Sequence, residues 1–101
     1  MNSLKASDDL AASVQKSPNR VTLAEIEATV AHVEYVNPAC QPHLTICVLL
    51  LQNGFSVIGK SAPADPDNFD NEAGRKFARQ DALRQIWPLE GYLLRSRLAH
   101  Q

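Results

Sequence analysis

The 101-residue sequence predicts a single small α+β domain, and three observations support this fold class. The length is that of one domain, and 45% hydrophobic with 21% charged residues is typical of folded soluble domains. A central apolar stretch, 44–62, has the pattern of a β-hairpin around Asn53-Gly54. Helical patterns precede and follow this stretch. The predicted order is therefore one helix, a hairpin and two C-terminal helices.

The first twenty residues mix Ser, Asp, Asn, Lys and Ala with little periodicity and end in Ser17-Pro18-Asn19-Arg20. This composition predicts a flexible N-terminal tail over 1–20. Leu10 and Val14 are four residues apart, which leaves a short helix over 8–15 as an alternative. The folded domain is then expected to cover 21–101.

A helix is predicted to begin after Thr22, because Thr22 and Glu25 have the spacing of a capping box. Apolar residues then recur three or four positions apart, at Leu23, Ile26, Val30 and Val33. Asn37-Pro38 would end this helix near Val36, since the residue before a proline avoids helical geometry.

The hairpin is predicted to turn through a two-residue type I′ loop at Asn53-Gly54. This loop would place Gln52 opposite Phe55, and so Val57 on the same face as Leu50. One predicted face is formed by Leu44, Ile46, Val48, Leu50, Phe55 and Val57; the other is formed by Thr45, Cys47, Leu49, Leu51, Ser56, Ile58 and Lys60. Both faces are apolar on the first strand, which predicts cover on both sides, by helices or by a second copy in a homodimer or higher oligomer.

The C-terminal part is predicted to form two helices. Asp65 followed by Pro66 is typical of a helix start, and Pro88 would end the first helix and begin the second. The inward stripe is predicted at Phe69, Ala73, Phe77, Leu83 and Ile86. Charge is segregated here, with a net charge of -4 over 63–73 and of +4 over 74–99.

Composition and motifs exclude several functions. The formal net charge of -1 gives no overall cationic field for nucleic acid or an anionic membrane, and no apolar run is long enough for a spanning helix. We therefore expect a cytoplasmic protein. Cys40, His43 and Cys47 lack the fourth ligand and the spacing of a zinc site, and the acidic loop lacks the calcium-loop glycine. No catalytic, metal or cofactor constellation is predicted, so the expected function is not enzymatic.

Any anionic ligand is expected to bind through Arg75, Lys76 and Arg79. Arg75 and Arg79 are four residues apart and would share one face of a helix, where two guanidinium groups could hold a phosphate or a carboxylate. Phe55 or Trp87 would stack on a base if the ligand were a nucleotide. The alternative is that this basic face is solvated or paired to the preceding acids.

The block from Leu44 to Leu98 resembles the phage protein family named after phage N4 Gp49 and phage Sf6 Gp66. The resemblance rests on Asn53-Gly54-Phe55, Asn68-Phe69-Asp70, Gly74-Arg75-Lys76 and the run from Ile86 to Tyr92. It implies a small protein of a tailed phage or prophage that is not a virion part and that acts in the host cytoplasm. In longer relatives, the block looks to be followed by a helical hairpin similar to that of phage sponge proteins, which sequester cyclic nucleotide signals.

Two functions are therefore expected as alternatives. The first is a non-enzymatic phage accessory protein that binds a host macromolecule or itself, which the two apolar sheet faces favour. The second is a sponge that sequesters a nucleotide immune signal through the basic helix face.

Overall fold

The computed structural model describes residues 3–101 and confirms the α+β class. Within these residues, three α-helices, one 3-10 turn and three strands follow one another. In chain order they are α1 (Leu4–Ser13), α2 (Leu23–Ala28), β1 (Val30–Val36), β2 (Thr45–Leu51), β3 (Ser56–Ser61), the 3-10 turn (Pro66–Asn68) and α3 (Asn71–Ala99).

The strands form one antiparallel sheet in the order β1-β2-β3, and α2 and α3 pack on one of its faces. The alternate residues of β2 that face these helices are buried, as are Val57 and Gly59 of β3. The core between sheet and helices consists of Leu4, Ile26, Cys47, Leu49, Leu51, Val57, Ala78, Ala82, Leu83 and Ile86. Helices of the same chain therefore cover one side of the sheet only, and the predicted cover of the other side by a second copy stays a prediction.

The helix predicted from Thr22 to Val36 is wrong in its second half. Its start is confirmed, because Thr22 and Glu25 form the complete capping box. The helix ends at Ala28, however, and 30–36 form strand β1, paired antiparallel with β2. The stretch from Val30 to Val36 contains three valines and a tyrosine, which favour a strand, and β2 offers a long apolar partner for it.

The hairpin between β2 and β3 is confirmed, but its predicted turn type and register are wrong. Leu51 N–H donates to the Phe55 carbonyl at 2.7 Å, so three residues form the loop. Gly54 alone among residues 3–101 has a positive φ, 89°, and Asn53 accepts a hydrogen bond from Phe55 N–H. This is a type I turn followed by a glycine bulge. The shift of one residue moves Val57 to the face of Leu49, which it opposes.

The two predicted C-terminal helices are one continuous helix, α3. Pro88 lies inside this helix and is exposed. Because proline has no N–H, one helical hydrogen bond is absent, the bond to the carbonyl four residues earlier. Asp65 caps the 3-10 turn instead of α3, which is capped by Asp70 through Ala73 N–H at 2.8 Å. Of the predicted inward stripe, Leu83 and Ile86 are buried, but Phe77 is exposed, so the prediction for Phe77 is wrong.

Two glycines allow α3 to lie close to the sheet. A Cβ built on Gly59 of β3 would overlap the Ala78 carbonyl and the Ala82 backbone of α3. A Cβ on Gly74 would come within 2.8 Å of the buried Thr45 hydroxyl. The tighter of these two contacts is at Gly59.

The N-terminal segment, predicted as a tail, contains α1. Ser3 caps this helix, and Leu4 is buried in the core. Asp8 accepts hydrogen bonds from Arg20 at 2.7 Å and from Leu23 N–H at 3.1 Å. These contacts attach α1 to the start of α2, and the helix begins four residues earlier than the alternative over 8–15. Residues 1 and 2 of the predicted tail lie outside the described residues.

Candidate functional site

The face of the sheet turned away from α2 and α3 exposes apolar side chains of all three strands, and we call it the open face. The strand register sets its three rows, in which β1, β2 and β3 each contribute one residue. The rows are Val36, Ile46 and Lys60; Glu34, Val48 and Ile58; and His32, Leu50 and Ser56.

The centre of the open face is aliphatic and its margins are polar. Leu50 is 43% exposed and Ile58 57% exposed, and Val36 at the end of β1 is 41% exposed. Charge is divided between the two outer strands, with Glu34 on β1 and Lys60 on β3. Exposed aliphatic side chains on a regular sheet offer a surface that another molecule can cover, with an acidic and a basic margin to orient it.

The three basic residues expected to bind an anion are only partly together. Arg75 lies over the ring of Tyr35, with 5.1 Å from guanidinium carbon to ring centroid, and Arg79 is 3.5 Å from a Glu27 carboxylate oxygen. Both arginines therefore share a face, as predicted, and both have partners on β1 or α2. Lys76 is one residue further around the helix, beside Asp70.

Phe55 and Trp87, the predicted stacking residues, are far from these arginines. Trp87 donates through Nε1 to the Val21 carbonyl at 3.3 Å and packs against the core. It is twelve residues from Arg75, a distance of about 18 Å along a helix. Phe55 is 54% exposed and lies beside the C-terminal half of α3. It lines a cavity of about 280 Å³ together with Leu51, Asn53, Ile86, Leu89, Glu90, Tyr92 and Leu93.

The potential nucleophiles do not form an activated pair among the residues described. Cys47 is fully buried, and burial raises the pKa of its thiol, which keeps it protonated. Cys40 is exposed in the loop after β1. His43 packs edge-on against Phe69, with ring centroids 5.2 Å apart, beside a cavity of about 160 Å³. Within residues 3–101, no group of three His, Cys, Asp or Glu side chains is arranged to hold a metal ion.

The fold is a three-stranded sheet with helices on one face only, and this defines a small α+β protein with an open sheet surface. Residues 21–98 match the model of the Phage protein (N4 Gp49/phage Sf6 gene 66) family. The match covers more than half of the chain, so the chain belongs to this family of phage proteins. No significant match is found among curated proteins or among solved structures. Among residues 3–101, no helix is both long and apolar enough to cross a membrane.

The sequence pattern did not predict the open face, because this face depends on β1. Glu34 and Val36 join the face only when 30–36 are a strand. The signal was present, since His32 and Glu34 alternate with Val33 and Tyr35 in the two-residue period of a strand.

Proposed function

We propose that this phage protein is a non-enzymatic accessory factor that binds a protein of the bacterial host through the open face. The observation that carries the proposal is the exposed aliphatic centre of this face, with Leu50 and Ile58 as its most accessible side chains. Burial of such side chains by a partner contributes about 25 cal/mol per Å² of apolar area.

The charges of the face describe the partner. Glu34 on β1 and Lys60 on β3 lie at opposite margins, so a complementary surface is apolar at its centre, basic on one side and acidic on the other. Paired margins of this kind fix the orientation of the partner and contribute to its specificity.

Recovery of host proteins on the tagged chain from bacterial cells tests the proposal. The double variant Leu50→Lys/Ile58→Lys places two charges in the centre of the face, and we expect it to lose the host protein that the wild-type chain retains. Leu10→Lys is the matched control, because Leu10 is a 68% exposed side chain on α1, outside the sheet. We expect this control to retain the partner.

Mass spectrometry should identify the retained protein, and titration of the purified pair should give its affinity. Equal retention by the wild type and the double variant would contradict binding through the open face. A nucleotide carried through native purification, with no retained protein, would favour the sponge function instead.

A further inference from the structure

The two outer edges of the sheet differ in how their backbone groups are used. On β3, Lys60 N–H donates to Asp81 Oδ2 at 2.9 Å, and the Ile58 carbonyl accepts from Gln85 Nε2 at 2.6 Å. Both backbone groups point away from β2, and both acceptor and donor side chains come from α3. Helix α3 therefore occupies the edge that another strand would need.

The outer edge of β1 is open by contrast. The bond from Leu51 to Phe55 directs the odd-numbered residues of β2 towards β3, so the even-numbered ones pair with β1. In β1, it is then Val33 and Tyr35 whose N–H and C=O groups point outwards. Within the described chain, no hydrogen bond from another element reaches these groups. They can form a ladder with one more antiparallel strand.

We propose that β1 of a second copy of this chain pairs antiparallel with β1 and makes a continuous six-stranded sheet. Three symmetric registers are available, centred on Val33, on Glu34 or on Tyr35. The register centred on Glu34 sets two carboxylates directly opposite each other, which is unfavourable. The register centred on Tyr35 sets Glu34 opposite an aliphatic Val36.

The register centred on Val33 gives complementary side chains. It places His32 of each copy directly opposite Glu34 of the other, and an imidazole N–H can donate to a carboxylate in either protonation state. Within one copy, His32 Nε2 is already 3.9 Å from Glu34 Oε1. Two histidines and two glutamates therefore alternate across the two-fold axis.

The small area of the open face is a second reason to propose a second copy of the chain as the partner of β1. Three strands about 4.8 Å apart and three rows about 6.8 Å apart give one face a projected area of about 300 Å². A standard protein interface buries about 800 Å² on each partner. Pairing through β1 joins two open faces side by side on the same side of the sheet. The dimer thus presents a surface about twice as large.

Substitutions that change the charge at positions 32 and 34 test the pairing and its register. Both side chains are exposed, His32 at 67% and Glu34 at 66%, so substitutions there leave the core intact. We expect light scattering of the wild type at hundred-micromolar concentration to give twice the 11.1 kDa chain mass. His32→Glu should weaken the dimer at least about tenfold, because carboxylates then face carboxylates. His32→Glu/Glu34→Lys should restore it.

A disulfide gives an independent readout of the register. In a Cys40→Ser background, Val33→Cys should form a covalent dimer under mild oxidation, since directly opposite hydrogen-bonded residues have Cα atoms about 5.5 Å apart. Glu34→Cys in the same background is the control, and it should cross-link much more slowly.

Three results would each overturn the proposal: a monomeric wild type, a dimer unaffected by His32→Glu, or faster cross-linking at position 34 than at 33. These measurements use the purified chain alone. Their outcome is therefore separate from that of host-protein binding through the open face.

Discussion

The contact between Gly59 and α3 leads to a quantitative prediction for Gly59→Ala. The added Cβ would overlap the backbone at Ala78 and Ala82, and backbone atoms cannot move aside as the end of a side chain can. The helix must therefore shift away from the sheet, and the flanking core contacts loosen with it. Overpacking of a close-packed interior costs typically 1–3 kcal/mol, and we expect about 3 kcal/mol here. For a domain of this size, the melting temperature should fall by about 12 °C or more.

Thermal unfolding followed by circular dichroism measures the effect, with Gly91→Ala as the matched control. A Cβ on Gly91, which is also in α3, meets no atom within 4 Å, so alanine there should raise stability by up to about 1 kcal/mol through helix propensity. Gly74→Ala should cost less than Gly59→Ala, because the atom it approaches is the Thr45 hydroxyl. A Gly59→Ala protein as stable as the wild type would show that α3 does not lie this close to β3.

Three further variants test the contacts of the other elements. Asp8→Asn should lower the free energy of unfolding at neutral pH by about 1.5 kcal/mol, because the Asp8 carboxylate accepts from Arg20 and these bonds lower its pKa. The stabilisation is present above the ordinary carboxyl pKa of about 4 and is lost as pH falls through the lowered native value, so urea titrations of wild type and variant should converge in acid. Trp87→Phe should cost about 1 kcal/mol through loss of its half-buried hydrogen bond to the Val21 carbonyl, also measured in urea. If cyclic nucleotides bind at the helix face of Arg75 and Arg79, calorimetry should show that Arg75→Ala/Arg79→Ala weakens their binding by about 2 to 4 kcal/mol. No heat of binding from the wild type would contradict nucleotide sequestration.

Local signals in the sequence correctly placed the start of α2 and the turn at Gly54, although they predicted the wrong turn type. The capping box at Thr22 and the turn around Gly54 are present because their hydrogen bonds involve residues at most four positions apart. The end of α2 could not be predicted in this way. Val30 and Val33 satisfy a helical period, and only pairing with β2, some fifteen residues later in the chain, makes them part of a strand.

The candidate site was harder to predict than the elements, because it depends on the register. The sequence predicted a two-residue loop at Asn53-Gly54, whereas the structure has a three-residue loop. This difference exchanges the two faces of β3, so that Val57 lies on the helix-facing side and Ile58 on the open face. The arginines illustrate the same limit. Their shared helix face followed from their spacing, whereas the Tyr35 ring under Arg75 depends on the position of β1.

The protection of the two sheet edges is unequal, and this asymmetry bears on how the chain avoids uncontrolled assembly. A three-stranded sheet with two free edges could extend indefinitely by strand pairing. Asp81 and Gln85 close the β3 edge, so pairing can occur on one side only. A single available edge related by a two-fold axis gives a closed dimer and no fibre. In the proposed dimer, hydrogen bonds between His32 of one copy and Glu34 of the other then select one register. If the chain forms the proposed dimer, Asp81→Ala/Gln85→Ala, which removes both side chains that cap β3, should convert it into larger, heterogeneous species in light scattering. An unchanged mass for this variant would show that other features of the β3 edge prevent its pairing.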